Sequence, residues 1–209
     1  NVAVGRSALN ANTTGDFNTA IGACSMSTNV TGEENTAVGF NSLKTSTVSN
    51  NTAFGSQSLR DTTTGSNNTA VGRDAMKANT TGASNTTVGK DALIANTTGA
   101  NNTTAGKESL LTNTTGVDNT AFGSEALKTS STASTNTAFG RQAMCKTTTG
   151  AINVAIGAYN LCANTTGNEN TAVGGYSMKE NTTGSTNVAV GRSALRCNTT
   201  ASDNTAIGS

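Results

Sequence analysis

The sequence predicts a mainly β fold, a parallel β-solenoid or β-roll of about twelve 17-residue coils. A glycine recurs along the whole chain at a period of about 17 residues, and periods of about 20 residues are typical of solenoids. Only 33% of the residues are hydrophobic and 3% aromatic, too few for a conventional core. The absence of proline and a net charge of +1 argue against disorder. The repeat glycines are Gly5, Gly22, Gly39, Gly55, Gly72, Gly89, Gly106, Gly123, Gly140, Gly157, Gly174, Gly191 and Gly208.

A short strand is expected immediately before each repeat glycine, as in Thr69-Ala70-Val71. Threonine and β-branched residues favour strands, and successive side chains of a strand point to opposite faces. We expect the large apolar residue, such as Val71, and the threonine two residues earlier to face the core. The alanine between them, such as Ala70, would then face outward and form a stripe of small residues that another chain could approach closely.

An asparagine stands four residues before every repeat glycine, beginning with Asn1. Side-chain amides that stack at the spacing of a sheet can hydrogen-bond from one coil to the next, even when buried. We therefore predict a structural asparagine ladder. Its members after Asn1 are Asn18, Asn35, Asn51, Asn68, Asn85, Asn102, Asn119, Asn136, Asn153, Asn170, Asn187 and Asn204.

The segment after each glycine carries alanine or a small polar residue followed by leucine or methionine, as in Ser124-Glu125-Ala126-Leu127-Lys128. Good helix formers here favour a single helical turn in each coil, and a second strand is the competing prediction. Leucine or methionine at this position would form a second core ladder. The Asn-Thr-Thr-Gly segment that follows predicts a corner in which glycines such as Gly82 adopt positive φ.

The corner also matches the acceptor pattern for N-linked glycans, Asn-x-Thr, in eight coils. On a secreted chain these asparagines are candidates for attached sugar along one exposed edge. The same residues are also good turn formers, so the alternative is a purely structural corner. The candidates are Asn12, Asn29, Asn79, Asn96, Asn113, Asn164, Asn181 and Asn198.

Two of the four cysteines, Cys145 and Cys162, occupy the same position in consecutive coils. Their Cα atoms should therefore lie near the inter-coil spacing, within the disulfide range of about 4.4–6.8 Å. A bridge between coils and free thiols are both compatible with the sequence. Cys24 and Cys197 lie at other positions and have no partner by this argument.

Catalysis is not expected, because the chain has no histidine and therefore no histidine-assisted nucleophile or histidine metal site. Asp74, Asp91, Glu108 and Glu125 share one position, where we expect solvated ladders offset by neighbouring cations rather than an acid–base pair. We predict no enzyme activity and no cofactor. The near-zero charge gives no basic surface for nucleic acid, and no apolar segment is long enough to insert in a membrane.

The repeat Asn-Thr-Ala-Val-Gly, followed by x-x-Ala-Leu-x-x-Asn-Thr-Thr-Gly, resembles repeats of phage tail-fibre and bacterial surface proteins. It is also similar to the head repeat of trimeric autotransporter adhesins, which contains Asn-Ser-Val-Ala-Ile-Gly. The closest segments here are 187–191 and 153–157. The resemblance implies a left-handed parallel β-roll of three chains lying side by side on a cell or virion surface. The adhesin head repeat is shorter than the repeat of this chain, so the resemblance does not cover the Ala-Leu segment.

These observations predict one continuous solenoid segment, 1–209, as part of a longer repeat protein. The expected function is an extracellular fibre shaft or adhesin stalk, a homotrimer that holds a binding tip away from a surface. The alternative is a glycan-coated surface filament, either a monomeric coil or a helical polymer. A third hypothesis is a flat threonine face that binds carbohydrate or ice. The expected partners are thus other copies of the chain and surface glycans.

Overall fold

A computed structural model describes all residues from 1 to 209 and contains thirteen three-residue strands in a single parallel sheet. Each strand pairs with the strands of the preceding and following coils, so the order in the sheet is the order in the sequence. The predicted parallel β-solenoid of about twelve coils is confirmed. The strands are β1 Val2–Val4, β2 Thr19–Ile21, β3 Thr36–Val38, β4 Thr52–Phe54, β5 Thr69–Val71, β6 Thr86–Val88, β7 Thr103–Ala105, β8 Thr120–Phe122, β9 Thr137–Phe139, β10 Val154–Ile156, β11 Thr171–Val173, β12 Val188–Val190 and β13 Thr205–Ile207.

The register of the sheet places equivalent residues side by side along its whole length. Thr69 pairs with Thr86 and Val71 with Val88, for example. The shorter coil between β3 and β4 keeps this register, with Thr36 paired to Thr52. Its missing residue is lost at the corner, where the carbonyl of Val48 accepts the hydrogen bond that a corner glycine accepts in most other coils. The repeat therefore tolerates a deletion at the corner without disturbing the strands.

The segment after the repeat glycine is neither a helical turn nor a second strand, so both sequence predictions for it were wrong. Alternate residues of this segment have positive φ, such as Asp91 at 56° and Leu93 at 52°. An α-helix requires successive residues with negative φ, so this alternation excludes it. The amides bond between coils instead, as where Leu93 N–H donates to the Ser109 carbonyl at 2.9 Å. The segment is thus a series of turns held by its neighbours.

The strands face the opposite way from the prediction. Alanines at the middle of the strands, such as Ala70, are fully buried, whereas Val71 and most of its equivalents are exposed. The sequence correctly predicted that successive side chains alternate between the two faces of the strand. The buried face was assigned from hydrophobicity alone, and that assignment was wrong. The interior of one coil is thin and already holds leucine or methionine and the asparagine ladders, which leaves room only for a small side chain at the middle of the strand. That side chain is alanine in most coils and threonine at Thr87 and Thr104. The predicted outward alanine stripe is therefore absent.

The core consists of alanine, leucine and methionine only, in one cluster of 24 buried residues that runs along the coil axis. Leucine and methionine form the predicted second core ladder, with Met76, Leu93 and Leu110 fully buried. Each coil contributes little apolar volume, so the coil depends on its neighbours on both sides. No helix long and apolar enough to cross a membrane is present.

Glycine recurs at two positions of the coil for different reasons. The repeat glycine ends the strand with positive φ, as at Gly89 with 144°. The corner glycine does not have positive φ, contrary to the prediction; at Gly82 a Cβ atom would lie 2.5 Å from Asn79 Oδ1 and 2.7 Å from Asn96 Nδ2. The corner thus favours glycine because the Gly99 carbonyl of the next coil and side chains of the interior both pass close to its backbone. Three coils have a larger residue in this place, namely Val48, Ala133 and Ala201.

Candidate functional site

The outer side of the sheet is a continuous surface that runs the length of the rod, and we call it the strand face. It carries the first and third residue of each strand from β1 to β13, a threonine or valine followed by an apolar residue. The third residues remain well exposed, with fractions of 38% at Val71, 45% at Val88 and 41% at Phe139. None of the 13 lysines and arginines or 12 aspartates and glutamates lies in a strand. The strand face is therefore uncharged, with a row of apolar third residues beside a row of first residues in which ten of thirteen are threonine.

Charged residues border the strand face on both sides, with opposite signs. The residue directly after the repeat glycine is never acidic, and we call this border the cation edge. The two residues before the asparagine that precedes each strand are never basic, and we call this border the carboxylate edge. The cation edge contains Arg6, Arg73, Lys90, Lys107, Arg141 and Arg192, all exposed. The carboxylate edge contains Asp16, Glu33, Glu34, Asp118, Glu169 and Asp203, all exposed.

The two edges differ in their partners within the chain. Arg73, Lys90 and Lys107 each pair with the carboxylate of the next residue, at 2.8, 2.8 and 3.0 Å. None of the six acidic residues of the carboxylate edge forms an ion pair within the chain. One border of the strand face therefore carries negative charge that no ion pair in the same chain offsets.

The asparagines that precede the strands lie inside the coil and bond to one another. Asn85 donates from its backbone N–H and from Nδ2 to Asn68 Oδ1, at 3.0 and 3.2 Å. Its Nδ2 also donates to the Gly99 carbonyl at 2.9 Å. The members from Asn18 to Asn187 are buried, and Asn204 is partly buried. Each amide thus joins its own coil to the previous one.

The asparagines of the predicted glycan sites form a second internal ladder. Asn29, Asn79, Asn96, Asn113, Asn164 and Asn181 are fully buried, and Asn12 and Asn198 in the terminal coils are partly buried. All eight donate from Nδ2 to a corner carbonyl three residues later. A glycan on this nitrogen would replace one of its two N–H hydrogens and would have to occupy the interior. The acceptor nitrogens of these six sites are therefore buried in the folded coil rather than lying on an exposed edge.

The corner threonines divide into a bonded and a free set. Thr80 Oγ1 donates to the Thr97 carbonyl at 2.9 Å, and Thr97 Oγ1 donates to the Thr114 carbonyl at 3.0 Å. The second threonine of each pair, such as Thr81 or Thr98, is exposed. Only one threonine of each pair therefore faces outward at the corner.

The acidic ladder is neutralised by nearby cations. Glu108 accepts hydrogen bonds from Lys128 at 2.8 Å and from Lys107 at 3.0 Å, which lower the pKa of its carboxyl to about 2. Burial opposes ionisation of Asp74, yet hydrogen bonds from Arg73 and Lys77 lower its pKa below the ordinary value. These shifts favour permanently ionised carboxylates, which is the opposite of what a general acid requires at neutral pH.

Cys145 and Cys162 form a disulfide in the structure, with Cα atoms 4.9 Å apart. Cys24 and Cys197 are free, and Cys197 is exposed. No group of three or more acidic, cysteine or histidine side chains is arranged to hold a metal ion. The bridge is therefore a covalent link between two neighbouring coils.

Two aromatic pairs were not predicted from the sequence. Phe122 and Phe139 stack on the strand face with ring centroids 4.9 Å apart, and Tyr159 and Tyr176 stack at 5.3 Å. Arg141 and Lys179 lie 5.5 and 5.6 Å from the centroids of the two tyrosine rings. The sequence could have predicted both pairs, because the two members of each pair occupy the same repeat position in consecutive coils.

A comparison with protein-family models finds no match for the chain. Comparisons with curated proteins and with solved structures find no match either.

Proposed function

We propose that this chain is a structural rod, the shaft of an extracellular fibre or the stalk of an adhesin that projects a binding tip from a cell or virion surface. The observation that carries the proposal is the unbroken parallel ladder from β1 to β13, which uses every coil to extend one axis. At a strand spacing of about 4.8 Å, twelve coil steps give a rod of roughly 58 Å. The surface has no pocket for a small ligand.

The interior supports a role in which length is the useful property. The strand of every coil pairs in the same register with the strands of its neighbours, and the deletion before β4 leaves that register intact. Coils can therefore be added or removed without redesign of the rest, as in other repeat proteins whose units contact only their neighbours. The resemblance to tail-fibre and adhesin repeats supports the same role outside the cell.

Electron microscopy tests this proposal, with gold-labelled antibodies raised against residues 1–209. The samples are intact cells that produce the protein or intact virions that carry it. We expect label along filaments outside the surface. Label confined to the interior of the producing cell would overturn the proposal. Small-angle scattering of the purified chain supplies the matching dimension, a rod of roughly 58 Å rather than a sphere.

A binding face for carbohydrate or ice is the second candidate, supported by the exposed threonines of the corner, such as Thr81, Thr98 and Thr115. They recur once per coil and therefore at a regular spacing. Thermal hysteresis of the purified chain and its retention on polysaccharide columns test this candidate directly. A glycan-coated filament receives less support, because the asparagines of its predicted attachment sites lie inside the coil.

A further inference from the structure

We infer that the strand face binds the strand face of further copies of this chain, with all copies pointing in the same direction and nearly in register. The inference rests on the proposed structural role and names the partner of the rod. It follows from the uncharged strand face, its dimensions and the opposite charges of its two edges.

The strand face has the area and composition of an interface. It is roughly 55–60 Å long and on the order of 10–15 Å wide, which gives on the order of 600–900 Å², compared with about 800 Å² per partner in a typical stable complex. Exposed apolar patches larger than a few hundred Å² mark interaction sites, and interface centres are depleted of charge. The strand face has no charged residue in any of its thirteen strands, and its third residues form a continuous apolar row, most of them exposed.

A second copy is the partner that fits the whole length. The strand face repeats once per coil, and side chains can interlock along the entire rod only with a surface of the same repeat. Another copy of the chain has the same repeat because its sequence is identical. Phe54, Phe122 and Phe139 are exposed and larger than the valines around them, so the relative position of the two copies along the rod is restricted.

The charged edges determine the direction of association. A half-turn about an axis parallel to the rod brings two strand faces together and sets each cation edge opposite the carboxylate edge of the other copy. A half-turn about an axis that crosses the rods sets like edges opposite each other, which is unfavourable. A ring of parallel copies also places opposite edges side by side, so the same rule holds for a trimer.

Alignment close to register leaves the greatest length of the two strand faces in contact and also keeps several opposite charges close to each other. The carboxylate-edge residues next to β2, β8, β11 and β13 lie within one strand position of cation-edge residues next to β1, β7, β9 or β12. One position is about 4.8 Å, less than the screening length of about 8 Å at physiological salt. Each coil step of displacement would remove about 4.8 Å of the roughly 58 Å over which the two faces can touch.

The first test compares sedimentation of the parent chain with two triple variants. Val71→Asp, Val88→Asp and Phe122→Asp together alter the strand face, whereas Thr81→Asp, Thr98→Asp and Thr115→Asp add the same charge at the exposed corner. We expect the parent and the corner variant to sediment as multimers and the face variant as a 20.8 kDa monomer, with association weakened at least tenfold. A monomeric parent, or a face variant that stays multimeric, would overturn the inference. Circular dichroism verifies that each variant is folded.

The second test determines direction by cross-linking in a background that carries Cys24→Ser and Cys197→Ser. Asn101→Cys lies before β7 on the carboxylate edge, and Ser124→Cys lies after β8 on the cation edge. We expect disulfides between the two variants when they are mixed. Cross-linking of Asn101→Cys chains with each other would show antiparallel copies and refute the stated direction. The gold labelling and the scattering measurement of rod length do not depend on association of the copies. They can support the proposed function even if both of these tests overturn the inference, so the two failures are distinguishable.

Discussion

Asn96 donates a 2.8 Å hydrogen bond from Nδ2 to Oδ1 of Asn79, its equivalent one coil earlier. The same nitrogen donates to the Gly99 carbonyl at 2.9 Å. Only an amide offers a donor and an acceptor at once in this planar arrangement, so it can bond to the coil before it, to its own corner and to the coil after it. This set of three bonds therefore requires asparagine. Four other coils carry a smaller buried hydroxyl side chain at this position, namely Ser46, Thr62, Ser130 and Thr147.

Asn96→Asp tests this requirement. The substitution places an acceptor oxygen against Asn79 Oδ1 and the Gly99 carbonyl and buries a carboxylate, so we expect a loss of at least about 3 kcal/mol of unfolding free energy at pH 7. Burial raises the pKa of the new carboxyl, so the loss should grow as pH rises above about 4 and shrink below it. Asn101→Asp, at an exposed asparagine, is the control and should change stability little. Urea unfolding at several pH values measures both.

The adjacent glycines Gly174 and Gly175 provide a matched pair for the backbone of the coil. Gly174 has φ 118°, and a Cβ atom there would lie 2.5 Å from the Gly191 carbonyl oxygen, whereas at Gly175 the nearest atom is 4.0 Å away. We expect Gly174→Ala to destabilise by at least about 2 kcal/mol through backbone strain and steric overlap. Gly175→Ala should be neutral within about 0.5 kcal/mol. Equal melting temperatures for the two variants would contradict this account of the repeat glycine.

The sequence predicted the solenoid, the strands and the asparagine positions because the residues that specify them recur at a fixed spacing along the chain. It did not predict which side of the strand is buried, because Ala70 and Val71 are both apolar and only the width of the interior decides between them. It also could not separate Asn79 as a glycan acceptor from Asn79 as a buried ladder member. The positive φ at Leu93 was hidden for a similar reason, since hydrogen bonds between coils override the local preference for a helix.

Acid stability should depend on Glu108. Its pKa is lowered to about 2 by hydrogen bonds from Lys128 and Lys107, so its contribution to stability is complete above about pH 4.5 and is lost as pH falls through about 2. Glu108→Gln should therefore reduce the decline in melting temperature over this range and lower the melting temperature slightly at pH 7. Glu180→Gln, whose parent carboxylate lies 3.9 Å from Arg196, is the control. An unchanged pH profile in Glu108→Gln would exclude this ion pair as a source of acid sensitivity.

The disulfide between Cys145 and Cys162 should stabilise the two coils that it joins. It closes a loop with a sequence separation of 17, which restricts the unfolded chain by about 3 kcal/mol in the loop-entropy account. The paired substitution Cys145→Ser and Cys162→Ser should therefore lower the free energy of unfolding by a similar amount.

Reduction of the parent should lower its stability to that of the paired variant, because both then lack the same link. Cys24→Ser and Cys197→Ser should leave the urea midpoint unchanged, since neither cysteine is bonded. The measurement is urea unfolding with and without a phosphine reductant. A parent midpoint that does not move on reduction would mean that stacking already holds these two coils together without the bridge, and that the ladders alone stabilise the rod at this point.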